Sequence, residues 1–255
     1  MTMAGMFAST RDRDEIALIP YVTAGYPTVA ASLDFIEMAA GAGADAVEIG
    51  LPFSDPVADG PTIQFSSHEA LQNGFRTRTF LEELARRPRS CPRILMTYLN
   101  PLLALGPEAF STLARAGVSA LVVPDLPEEE AGGVSADAAR FGIDLVLLVA
   151  PTSTLARLRQ IASASRGFVY VVGVVGPTGA RRDAHPGLPD VVARVRGLTS
   201  LPLVVGFGLS DPSHVRALTA HADGAIVGSR LVDAIRQGED FAALIHSFKQ
   251  ASRRH

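Results

Sequence analysis

The apolar positions of this chain fall into short runs with no polar face, rich in Val, Ile and Leu and bounded by Gly, Pro or Asp. Eight such runs occur, at 16–23, 45–50, 93–98, 119–123, 144–150, 168–173, 201–206 and 224–227, and each predicts a strand. Between them the apolar residues recur at three- and four-residue spacing. This predicts helices at 30–42, 79–87, 107–116, 128–141, 155–165, 188–196, 212–220 and 230–237, a last one over 240–252, and an extra helical segment before the first strand. Strands apolar on both faces and separated by helices predict a parallel sheet covered by helices. The fold class is therefore α/β, and eight units predict a closed (β/α)8 TIM barrel, one domain over residues 1–255. The competing architecture is an open doubly wound sheet, but no Gly-x-Gly-x-x-Gly follows the first strand.

Composition narrows the function classes. The chain has 255 residues, is 47% hydrophobic and carries a formal charge of -3. It has no basic cluster longer than Arg86-Arg87 or Arg253-Arg254, so a nucleic-acid surface is not expected. No apolar run approaches the ~20 residues that span a bilayer. Residues 1–15 lack the basic-then-apolar order of a secretion signal. With Cys91 as the single cysteine there is no disulfide framework, and a reducing, cytoplasmic location is expected. Six scattered histidines give no helical i, i+4 pair and no metal site. The one lysine, Lys249, falls in the last helix, away from every strand end. Schiff-base chemistry is thereby excluded, which leaves acid–base work by carboxylates.

In such barrels chemistry sits at the carboxyl ends of the strands. The stretch "ADAVEIGLPFSDPVADGPTIQ" (44–64) places Glu48 near the end of the second strand, pointing opposite to Val47 and Ile49 and so into the barrel. A carboxylate buried there costs several kcal/mol unless it is paired or neutral, so Glu48 is a candidate catalytic group. Asp55 lies in a Ser-Asp-Pro turn and is expected to organise its own backbone. Asp59, before Gly60-Pro61, is either a site residue or the cap of a helix beginning near Thr62. "VGPTGAR" (175–181), "GFGLSDP" (206–212) and "VGSRLV" (227–232) follow the last three strands. Glycines let backbone approach a ligand, and a helix N-terminus favours an anion, so these loops read as a phosphate site or as tight connections. Tyr21, Tyr170 and Phe207 would suit a flat aromatic ligand, although each would equally serve as core.

"PYVTAGYPT", "VEIGLPFSDPVADGPTIQ", "LMTYLNP", "PDLPEEE", "GPTGAR", "VGFGLSDP" and "AIVGSRLV" stand in an order that resembles the α subunit of tryptophan synthase from Phe7 to the last helix. That resemblance implies a lyase of tryptophan biosynthesis, making indole and glyceraldehyde 3-phosphate by retro-aldol cleavage of indole-3-glycerol phosphate. It implies that Glu48 is the acid–base group and that Asp59 holds the indole N–H, helped by Thr178. It assigns Tyr21, Tyr170 and Phe207 to the indole pocket, and Gly179, Gly208, Gly228 and Ser229 to the phosphate. Loops 52–59 and 100–106 would dock on a β subunit in an α2β2 heterotetramer. That partner, not this chain, would carry pyridoxal phosphate. One segment departs from the family: residues 173–179 read GVVGPTG, where relatives often have Ser-Arg-x-Gly-Val-Thr-Gly. It is the sole hint of the alternative, a free-standing indole-3-glycerol-phosphate lyase that works without a β subunit.

Overall fold

The computed structural model describes residues 2–173, 188–206 and 208–254. Its strands are β1 Ala17–Thr23, β2 Val47–Gly50, β3 Arg93–Met96, β4 Val118–Val122, β5 Asp144–Val146, β6 Leu148–Val149, β7 Val169–Val172, β8 Leu203–Gly206 and β9 Gly224–Val227. Every ladder is parallel, in the order β5-β4-β3-β2-β1-β9-β8-β7-β6. The two ends of this order are one run of chain, because β5 and β6 are separated only by Leu147. The predicted fifth strand is thus split: its first half pairs with β4 and its second with β7. That change of partner closes the (β/α)8 barrel.

Strands β1, β2, β3, β8 and β9 are buried at every position, as expected when side chains fill the interior and helices cover the outside. The extra N-terminal helix, Met3–Asp12, buries Met3, Met6, Phe7 and Thr10. Phe7 meets the ring of Phe168 edge-on at 6.0 Å, next to the start of β7, so this helix covers the amino-terminal end of the barrel. Lys249 lies at that end too, 2.8 Å from Glu15 and 2.7 Å from Asp45. Arg13 completes the cluster by pairing with both carboxylates.

Two features were not anticipated. Arg93, wholly buried at the start of β3, has carbonyls for hydrogen-bond partners. Its guanidinium donates to Leu84 and Ala116 at 2.9 and 2.7 Å and to Pro88 at 2.5 Å. It thereby binds carbonyls at the ends of the helices Thr77–Arg86 and Ala109–Arg115, sharing that of Leu84 with the Arg87 N–H. Part of the segment read as a loop, 100–106, is instead the short helix Leu99–Ala104. Pro101 is tolerated in its first turn, where a backbone N–H has no helical acceptor.

Candidate active site

The carboxyl end of β2 is where polar groups enter the barrel. In register, Tyr21 of β1 is the partner of Glu48, and Glu48 is the partner of Ile94 in β3. Glu48 is 1% exposed, and its Oε1 has no hydrogen-bond partner among the described residues. Burial, reinforced by the nearby charge of Asp59, pushes the Glu48 carboxyl up to about 8. The group is therefore a neutral acid at pH 7, with an oxygen that no group among the described residues occupies.

Asp59 is set by the loop that follows. Burial raises its carboxyl to about 6, against the opposing pull of a hydrogen bond from Tyr98. The Tyr98 hydroxyl donates to Asp59 Oδ2 at 3.1 Å. The competing reading of Asp59 as a helix cap fails, since the helix Pro61–Gln72 is capped by Gly60 with no side-chain bond. Asp55 behaves as a turn residue: it is exposed and bonded to the Ser54 hydroxyl at 2.5 Å.

Tyr21 and Tyr170 are both buried near this centre, and their phenols are held far above the ordinary range, chiefly by burial. Two glycines make room for them. A Cβ on Gly50 would lie 1.9 Å from the Tyr21 hydroxyl, and one on Gly206 would lie 2.2 Å from that of Tyr170. In each case the tyrosine reaches to a glycine on the neighbouring strand, two residues beyond its register partner. The ring atoms of Tyr21 crowd the same spot at 2.4 and 2.6 Å, so a side-chain flip of the hydroxyl alone gives no relief. Gly50→Ala is expected to cost about 1–3 kcal/mol through overpacking. Adding Tyr21→Leu should return part of it, as read by urea unfolding of the single and double variants.

Gly208 has φ +78°, a left-handed conformation that favours glycine. Gly228 caps the helix Ser229–Gln237, which has no acidic residue in its first turn and so presents N–H groups and a positive dipole end. Gly228 also lies beside Tyr21, whose Cβ would be 3.7 Å from an added Cβ there. Thr178, Gly179 and Phe207 lie outside the described residues, as does most of the departing segment 173–179. Among the described residues the structure therefore brings Glu48, Asp59, Tyr21 and Tyr170 together, with Gly228 adjoining Tyr21 and Ser229 next in the chain. A cavity of about 820 Å³ lies elsewhere, between the helix Ala131–Arg140, Asp144 and the N-terminal residues Thr2 and Met3.

Tyr98 is the residue that sequence reasoning missed. Its only signal was its position in "LMTYLNP", at the carboxyl end of a strand in a fold that keeps its chemistry there. Among the described residues no group of three or more His, Cys, Asp or Glu could hold a metal ion. No described helix is long and apolar enough to cross a membrane.

These features define a (β/α)8 barrel with two adjacent carboxylic acids of raised pKa at the carboxyl end of its strands. The chain belongs to the tryptophan synthase alpha chain family, whose sequence profile matches residues 7–253. It is 44% identical to the tryptophan synthase alpha chain of Chloroflexus aurantiacus over 239 residues, covering 92% of this chain and 90% of that one. It is 42% identical to that of Geobacter sulfurreducens over 258 residues, covering 98% of each. In three dimensions it is similar to a chain in a structure of Mycobacterium tuberculosis tryptophan synthase. There the TM-score is 0.92 at 37% identity, covering 99% of this chain and 98% of that chain.

Proposed function

We propose that this chain cleaves indole-3-glycerol phosphate to indole and glyceraldehyde 3-phosphate, using Glu48 as the acid–base group. The observation that carries this reading is the Glu48 carboxyl: buried, neutral at pH 7, and with an oxygen that no group among the described residues binds. Such a group can give its proton to indole C3. The ring nitrogen then becomes cationic, and the Asp59 carboxylate, ionised above about pH 6, stabilises its N–H. The Glu48 carboxylate next takes the proton of the hydroxyl on the adjacent side-chain carbon. The bond from that carbon to C3 breaks, its electron pair returns to the ring, and the oxygen becomes the aldehyde of glyceraldehyde 3-phosphate. Glu48 ends the cycle neutral, as it began.

The substrate supplies its own electron sink, so no lysine imine is needed. None is available, since Lys249 is tied to Glu15 and Asp45 at the far end of the barrel. Pyridoxal phosphate accordingly belongs to the partner, a tryptophan synthase β subunit, in an α2β2 assembly. The flat indole would lie between Tyr21 and Tyr170, with Phe207 and Thr178 completing the pocket. The phosphate would take the N–H groups of Gly228 and Ser229 at the helix end, together with Gly179 and Gly208. The docking face would comprise the loop carrying Val57, which is 82% exposed, and the helix carrying Leu103, which is 63% exposed. Membership of the tryptophan synthase alpha chain family favours this partnered enzyme, in the cytoplasm, over a free-standing lyase.

The test is indole release from indole-3-glycerol phosphate by the purified chain, alone and with a tryptophan synthase β subunit. Slow release, strongly stimulated by the partner, is expected. Fast release indifferent to the partner would mark a free-standing lyase, and no indole under either condition would overturn the assignment.

A further inference from the structure

Tyr98 is 2% exposed and stands where β3 gives way to the helix Leu99–Ala104. It occupies the cap position of that helix, yet its side chain makes no capping bond. It turns instead to the loop after β2. Its ring packs on Phe53 at 5.2 Å between centroids. Its hydroxyl accepts the Ala58 N–H at 3.0 Å and donates to Asp59 Oδ2 at 3.1 Å.

A phenol has one proton to give. Because the Ala58 amide approaches the oxygen as a donor, that proton is directed to the one acceptor beside it, the Asp59 carboxylate. The same oxygen thus anchors the loop through its backbone and aims its last carboxylate. A second tether of this segment is Gln64, whose amide donates to the Asp59 carbonyl at 2.9 Å and to that of Pro56 at 3.4 Å. Gln64 holds the backbone and leaves the carboxylate free to turn.

We propose that Tyr98 is a positioning residue that fixes the Asp59 carboxylate in place and in its ionised form. The proposal rests on the reading of Asp59 given above only for its catalytic consequence. Among the described residues, the groups that face Asp59 are Glu48 from β2, Tyr21 from β1, Tyr170 from β7 and Tyr98 itself, while Asp125, after β4, acts on Tyr98. Of these, Tyr98 makes the recorded hydrogen bond to the carboxylate, and a hydrogen bond to a charged form favours that form. Removing it leaves the buried carboxylate less able to ionise.

The test is Tyr98→Phe, which keeps the ring against Phe53 and deletes the hydroxyl. Aspartate-carboxyl ¹³C resonances are followed through pH in the free protein, with Asp59→Asn identifying the signal. The Asp59 midpoint should rise by about one pH unit or more, and the acid side of the kcat/KM profile for indole release should move by the same amount. An unmoved midpoint overturns the positioning role whatever the activity does. A moved midpoint with an unmoved rate profile upholds positioning and removes Asp59 from the proposed chemistry. If the variant does not fold, the unsubstituted protein still decides: the Tyr98 ¹³Cζ resonance should follow the Asp59 titration, and a resonance flat through it overturns the proposal.

Discussion

Replacing Glu48 with Gln should lower indole formation about 10²–10⁴-fold, the range for loss of a positioned general acid–base group, while making the protein harder to unfold at neutral pH. The two effects share one cause. In the unfolded chain Glu48 ionises near 4.5, whereas burial holds it neutral in the fold up to about 8. A raised folded pKa means that the stability tied to this group is fully present below about pH 4.5. It is lost as pH climbs toward 8, where the unfolded state alone has gained the charge. At about 1.4 kcal/mol for each pH unit of that interval, the cost approaches about 5 kcal/mol as a ceiling. Gln carries no such cost. The difference in urea midpoint between variant and parent should therefore be small at pH 4.5 and widen up to pH 8. A variant that loses activity and stability together would instead mark Glu48 as a structural group.

Asp59→Asn should lower kcat/KM by about 10²-fold, the scale of one preorganised electrostatic contact with developing charge, and should also change the shape of the pH profile. The proposed mechanism requires Asp59 ionised and Glu48 neutral at once in the parent. Environments that push these two carboxyls to about 6 and about 8 leave a window between them. Activity should rise through the lower value and fall through the upper, with both arms belonging to the interacting pair. The Asn variant keeps the alkaline arm and loses the acid arm, because it has no carboxyl to ionise there. An acid arm that persists in Asp59→Asn would mean another group is responsible.

Much of this arrangement could be read from the residues. The eight strands and their alternating helices were legible because both-faced apolar runs punctuated by Gly, Pro and Asp carry the period of a parallel barrel. Glu48 stood out as a carboxylate within such a run. What escaped depends on distant partners. The fifth strand divides at Leu147 because its neighbours change, from β4 to β7, and nothing local announces that. Whether Asp59 capped a helix or faced the site was undecidable until Gly60 proved to be the cap and Tyr98, 39 residues away, the partner. Arg93 opens the third predicted strand; its acceptors are carbonyls at and just beyond helix ends that only the packed fold supplies. Leu99–Ala104 read as loop because Pro101 masks a helix whose first turn does not need that N–H. The ion cluster of Lys249 joins residues 204 positions apart, beyond any periodicity.

The claim at the centre of this account is that a neutral Glu48 begins the reaction as proton donor beside an ionised Asp59. The most direct measurement is kcat/KM for indole release from indole-3-glycerol phosphate by the unsubstituted chain, taken from pH 5 to pH 9 with a tryptophan synthase β subunit present. The account predicts a bell with arms near 6 and 8 and a maximum close to 7. A rate that keeps climbing through pH 8 to pH 9 would show that the productive form of Glu48 is the carboxylate at the outset, and would contradict it.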